Sequence, residues 1–218
     1  MTIAFISHAD CALHETTSYH PDTAERLAAI HDRLIASGLE MIMHFYDAPM
    51  VSVEQLCRVH DADYVSEIFQ KLQDNERVWL DADTLMVSAS LTAAQRGAGA
   101  VVKAVDLVMS QDANSAFCCV RPPGHHAEHN KAMGFCIFNN VAVGVAHAIA
   151  QYGLERVAII DFDAHHGNGT EDIFRGNEQV LLCSSFQHPF YPDTGVPGKH
   201  DNMINIGLAA GTSGEQFR

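Results

Sequence analysis

Positive charge is scarce in this sequence. Thirteen lysines and arginines stand against 27 aspartates and glutamates, for a net charge of −14. Non-specific binding to nucleic acid needs basic patches, so no direct nucleic-acid partner is expected. The same acidity suits a cationic substrate. Long apolar runs are missing too, and no stretch reaches the length that spans a bilayer, so no membrane partner is expected. Met1–Asp10 has neither the basic opening nor the apolar region of a secretory signal. Paired cysteines are also absent. The six cysteines are Cys11, Cys57, Cys118, Cys119, Cys136 and Cys183, with no C-x-x-C spacing. That argues against a zinc ribbon or a redox pair, and scattered thiols fit a reducing, cytoplasmic compartment. What is present is a chain of 218 residues, 47% hydrophobic, long enough for one domain with a sizeable core. It carries 14 histidines, and they cluster.

The chain alternates strand-like and helix-like stretches. Short apolar runs predict strands at Thr2–Ile6, Met41–Tyr46, Ser115–Val120, Val157–Ile160, Val180–Ser184 and Ile204–Ile206. Helices are expected from a cap at Asp22 or Thr23 to Ser37, then at Val53–Arg58 behind Ser52 and at Ala62–Leu72. Further helices are expected at about Ser88–Ser110, at Asn140–Tyr152 and from Glu171. Gly97 and Gly99 inside the longest of these point to close packing. The loop through His8, Cys11, His14 and His20 reads either as a site mouth or as plain surface. The alternation means an α/β fold with a mainly parallel sheet. No internal repeat or domain linker interrupts it.

The chemistry concentrates in Ala158–Thr170, A-I-I-D-F-D-A-H-H-G-N-G-T. An apolar run of the kind buried inside parallel sheets stops at Asp161. Ligands bind beyond the carboxyl ends of such strands. Positions two apart on an extended backbone point the same way, so Asp163 and His165 can converge as an oxygen and nitrogen pair for a metal. The bland alternative is a solvated loop with a capping aspartate. A second loaded loop, Arg121–Phe135, reads R-P-P-G-H-H-A-E-H-N-K-A-M-G-F. Adjacent histidines are poor co-ligands of one metal, so His125 and His126 are better placed as acid and base beside it. Each needs a partner to fix its tautomer, and Asp161 and Asn168 are the candidates. The alternative is that they only hydrogen-bond the loop. H-x-x-E-H at His125–His129 also matches an inverted zinc-protease motif, which requires a helix.

Together these loops resemble the histone deacetylase family and the related bacterial deacetylase-like and acetylpolyamine amidohydrolases. The matching pieces are H-P-D-T-A-E-R-L at His20–Leu27, D-A-D-T at Asp81–Thr84, R-P-P-G-H-H-A at Arg121–Ala127 and G-F-C-I-F-N-N at Gly134–Asn140. D-F-D-A-H-H-G-N-G-T at Asp161–Thr170, F-Y-P-D-T-G at Phe190–Gly195 and N-I-G-L-A-A-G-T at Asn205–Thr212 complete them. The two histidine motifs look more like the class II branch than class I. The resemblance implies a three-layer α/β/α fold of the arginase–deacetylase type. It implies a zinc-dependent hydrolase acting on an acetylated lysine or another acetylated amine. Asp163 and His165 match two of three zinc ligands. His125 and His126 match the tandem acid–base pair, and Asp161 and Asn168 match the groups that orient them. Asp161 and Ser184 match a structural potassium site. Gly134 and Phe135 match one wall of the acyl-lysine tunnel, Tyr191 stands where the opposite phenylalanine is usual, and Asp81 matches a rim carboxylate.

The third zinc-binding aspartate and the transition-state tyrosine of the family lie further along than Arg218. The resemblance therefore implies that residues 1–218 are the N-terminal portion of a deacetylase catalytic domain, incomplete at the C-terminal side of the sheet. The contrasting expectation is a non-catalytic remnant that binds a partner or a metal.

Overall fold

Ile3–Ser7 (β1) alternates its side chains between two faces, as any strand must. Ala4 and Ile6 are fully buried on one face, with Ala100 and Leu107 beneath them. Phe5 lies on the other, against Phe45 and Phe117 at 5.0 and 5.8 Å between ring centroids. The structure is a computed structural model and describes residues 2–17, 20–71, 76–195 and 198–218. Glu25–Ala36 (α1), Met43–Asp47 (β2), Val53–Leu56 (α2), Ala62–Lys71 (α3) and the hairpin Arg77–Trp79 (β3) and Leu85–Val87 (β4) follow β1. Next come Ser88–Met109 (α4), Ser115–Cys118 (β5), Asn140–Tyr152 (α5), Val157–Asp161 (β6) and Asn168–Phe174 (α6). Val180–Gln187 (β7), Gly198–His200 (β8), Met203–Leu208 (β9) and Gly214–Phe217 (α7) close the chain.

The strands are mainly parallel, as expected for α/β. They form two sheets rather than one, β2-β1-β5 and β6-β7-β9-β8, beside the small β3-β4 hairpin. Among the strands described, only β8 and the hairpin pair antiparallel. The separation arises because β5 and β6 are both end strands, and no strand among the described residues bridges them. For the same reason β5 and β6 are not buried on both faces as their apolar runs suggest. Phe117 is 43% exposed and Ile160 73%.

Helix α4 packs under β1 and β5 and against α5, with Gly97 and Gly99 buried at the close approaches the sequence predicts. Asn139 caps α5 by accepting from the Ala142 N–H, and its own amide donates to Ala127 O and Thr170 Oγ1. One residue thus starts a helix and ties down both loaded loops. Ser52 caps α2 with a reciprocal bond from Gln55, as expected of a capping box. The cap expected at Asp22 or Thr23 does not form: α1 begins after Ala24 without a side-chain cap, because Asp22 is drawn inward to Arg121. Leu72, placed at the end of the third helix from sequence, lies outside the described residues. No helix among those described is long and apolar enough to cross a membrane.

Candidate active site

The sheet β6-β7-β9 delivers Asp161 at the end of β6, opposite Ser184 of β7. Beyond Asp161 the chain turns in two self-bonded steps. Asp161 Oδ1 accepts from the Asp163 N–H at 3.1 Å, and Asp163 Oδ1 accepts from the His165 N–H at 2.8 Å. Each step is the local bond by which aspartates shape turns. The result sets Asp163 beside His165, with His165 Nδ1 3.1 Å from Asp163 Oδ1 and both side chains open to solvent. Phe190 stacks on the His165 ring at 5.0 Å, and Tyr191 meets it edge-on at 5.9 Å.

The paired histidines stand beside this pair. His126 lies 5.9 Å from His165 and 4.0 Å from His125, ring to ring. His125 Nδ1 is 3.0 Å from Asp161 Oδ2, and His126 Nδ1 is 2.8 Å from Asn168 Oδ1. A carboxylate can only accept, so His125 donates from Nδ1. Asn168 Nδ2 donates to Glu128 Oε1 at 2.7 Å, which turns its Oδ1 toward His126, so His126 also donates from Nδ1. Both rings are therefore anchored through Nδ1, and a neutral ring so held carries its lone pair on Nε2. Burial, reinforced by the neighbouring His125, pulls His126 down to about 4, so it is neutral at ordinary pH. Burial pushes the Asp161 carboxyl up, but the hydrogen bond from His125 and the attraction between them outweigh it, leaving it below the ordinary value.

A cleft of about 450 Å³ opens over these groups. His125, His126, Asp163 and His165 line it, with Gly134, Phe135 and Tyr191 as walls. Asp83 lines it as well, whereas Asp81 does not: one of its oxygens is turned back onto the N–H groups of Asp83 and Thr84. Asp83 thus puts a carboxylate on the cleft wall. Burial, then the hydrogen bond and charge of Asp81, raise its carboxyl. The Tyr191 hydroxyl is buried without a hydrogen-bond partner among the described residues, and burial followed by the Asp83 and Asp81 charges holds it well above the ordinary phenol value.

The alternative H-x-x-E-H reading finds no support. Residues 125–129 are not helical, and His125 and His129 bond different carboxylates, Asp161 and Asp172. Glu128 instead fixes the Asn168 amide. That role, like the stacking of Phe190, has no sequence signal beyond proximity to a motif. As donors, Asp163 and His165 suit zinc in type, oxygen and nitrogen. Among the described residues no group of three or more His, Cys, Asp or Glu side chains is arranged to hold a metal. Ser184 Oγ, beside the end of β6, is buried and has no hydrogen-bond partner among the described residues.

A model of the histone deacetylase domain matches residues 20–218. The chain belongs to the histone deacetylase family. It is 40% identical over 181 residues to a histone deacetylase-like amidohydrolase of Pseudomonas aeruginosa, covering 83% of this chain and 46% of that protein. A probable deacetylase of Archaeoglobus fulgidus is 35% identical over 226 residues, covering 100% of this chain and 62% of that one. The solved HD domain of HDA15 superposes with a TM-score of 0.88 at 30% identity, covering 97% of this chain and 64% of that one. The chain thus spans less than two thirds of each of these relatives. The deacetylase fold, with its mainly parallel α/β core, is the one the family resemblance implies.

Proposed function

We propose that these residues form the N-terminal portion of the catalytic domain of a zinc-dependent deacetylase, which hydrolyses the acetyl amide of acetyl-lysine in a protein or of a related acetylated amine. The observation that carries this reading is the pair of Nδ1-anchored histidines beside Asp163 and His165 in a cleft with an aromatic wall. Zinc held by Asp163 and His165 would supply Lewis acidity and a more acidic water there. A site of that kind uses three protein ligands, and the described residues provide two. His126, neutral and fixed by Asn168, takes the proton of the attacking water at Nε2. The same His126 then returns that proton to the leaving amine, while His125, held by Asp161, orients the water. Phe135 and Tyr191 enclose the methylene stem and keep bulk water from it. The unpartnered Ser184 Oγ supports a potassium site shared with Asp161.

The test is a chelator-controlled assay of acetyl-lysine peptide hydrolysis on the full-length protein that carries these residues, run alongside zinc content. His126→Ala should retain zinc and lose about 10²–10⁴-fold in rate, the span of general acid–base catalysis. Asp163→Ala should lose the zinc itself. Zinc loss on His126→Ala, or full zinc on Asp163→Ala, overturns the assignment. The acidic cleft wall at Asp83 and the net charge of −14 favour a second substrate, an acetylated polyamine whose remaining amines are cationic. Comparing kcat/KM for the two substrates decides between them.

A further inference from the structure

Phe135 adopts a backbone conformation that bulky residues avoid. Its φ is 70°, and that of Gly134 before it is 56°, two left-handed residues in succession. Such a geometry survives where its surroundings hold it in place. Here both amides of the pair are held by side chains of a turn 51 residues earlier in the chain. The Gly134 N–H donates to Asp83 Oδ1 at 3.2 Å, and the Phe135 N–H donates to Thr84 Oγ1 at 3.0 Å.

The turn is shaped for this. Asp81 Oδ1 accepts from the N–H groups of Asp83 at 3.0 Å and Thr84 at 2.7 Å. The Thr84 hydroxyl donates to Asp83 Oδ1 at 3.3 Å, which leaves its oxygen lone pairs for Phe135. Thr84 is 1% exposed, so water does not compete for that oxygen. His20 braces the ring from outside. Its Nδ1 accepts from the Asp22 N–H at 3.1 Å, so Nε2 carries the hydrogen and donates to Asp83 O at 3.3 Å, and its ring meets Phe135 edge-on at 4.2 Å. On the inner side Gly134 lies against the His126 ring, where an added Cβ would come within 2.4 Å of Cδ2. The clasp therefore sets both the wall of the cleft and the spacing between that wall and the proposed base.

We infer that Thr84 and Asp83 are positioning residues: they hold Gly134 and Phe135 in the one backbone geometry that makes Phe135 the wall along a substrate's methylene stem, with His20 as the outer brace. The inference rests on the deacetylase reading for its consequence but not for its geometry. Amide hydrogen exchange and steady-state kinetics on the zinc-loaded full-length protein that carries these residues separate the two. Thr84→Val keeps the shape and removes the acceptor. Exchange at the Phe135 amide should quicken about fivefold or more, the worth of one neutral hydrogen bond. KM for an acetyl-lysine peptide should rise about five- to tenfold with kcat changed less than twofold, the mark of lost binding rather than lost chemistry. Thr84→Ser, which keeps the oxygen, should restore both. Unchanged exchange in Thr84→Val overturns the clasp. Quickened exchange with an unchanged KM overturns the positioning role. If neither the unsubstituted protein nor any variant turns over substrate, the deacetylase reading fails and the exchange result still decides the clasp.

Discussion

Arg121 and Asp22 offer the sharpest test of how the first loaded loop is held. Arg121 is 1% exposed and Asp22 3%. The guanidinium donates from Nε to Asp22 Oδ1 at 2.7 Å and from one terminal nitrogen to Oδ2 at 3.1 Å, the forked geometry only arginine provides. Its remaining bonds reach the carbonyls of Cys11, His14 and Asp22. The residue that opens R-P-P-G-H-H is thereby tied to the whole N-terminal loop. Removing Asp22 strands Arg121 as a buried charge, which costs about 3–5 kcal/mol; removing Arg121 costs less, because Asp22 keeps His14 at 3.5 Å and Arg26 at 3.6 Å. Asp22→Asn should lose that amount in urea unfolding at pH 7, and Arg121→Met a smaller one. The double variant should recover part of it, since no charge is then left unpaired.

Acid adds an independent reading. Burial pushes the Asp22 carboxyl up, but the bonds and charges of His14 and Arg121 prevail and leave it at about 2, against 3.8 for a free group. A depressed folded pKa stabilises the fold above the unfolded value and loses that contribution as pH falls from about 4 through about 2. At 1.36 kcal/mol per unit the contribution is about 2 kcal/mol. The acid slope of stability between pH 4 and 2 should flatten in Asp22→Asn. A single variant within 1 kcal/mol of the unsubstituted protein, with the same acid slope, refutes the reasoning.

Two further expectations concern single side chains. An added methyl at Gly167 would stand 2.5 Å from Asp161 Oδ2 and 3.2 Å from His125 Nδ1, inside the bond that orients His125. Gly167→Ala should cut turnover about 10–100-fold, the usual cost of losing such support, with an unchanged circular dichroism spectrum. Full activity in that variant would show that His125 does not depend on Asp161. The Asn202 amide donates to the carbonyls of Phe174, Asn177 and Val180 at 2.8, 3.1 and 2.7 Å while its oxygen accepts from the Gly176 N–H. Asn202→Asp would turn an acceptor toward those carbonyls and cost about 2 kcal/mol, seen as a fall of about 4–8 °C in Tm. An unchanged Tm would mean that these carbonyls find other donors.

The sequence by itself determined what depends on neighbouring residues. The apolar run into Asp161 is a strand, and the aspartates at 161 and 163 bend the chain through bonds to N–H groups two residues on, so Asp163 and His165 stand side by side through a turn and not along an extended backbone. The capping box at Ser52 and the small-residue face of α4 are likewise local patterns, and the motifs were enough to place the chain in its family. Only the tertiary structure decided which distant groups complete the site. Phe135 finds Thr84 across 51 residues, and Arg121 finds Asp22 across 99. It also decided that Asp22 serves as an ion-pair partner and not as a helix cap, that Asp83 and not Asp81 faces the cleft, and that β5 and β6 each keep a face open. These outcomes depend on which loops the parallel strands carry to a common end. A polar side chain that can bond its own turn can equally bond any group folded against it, and desolvation at the packed site chooses between them.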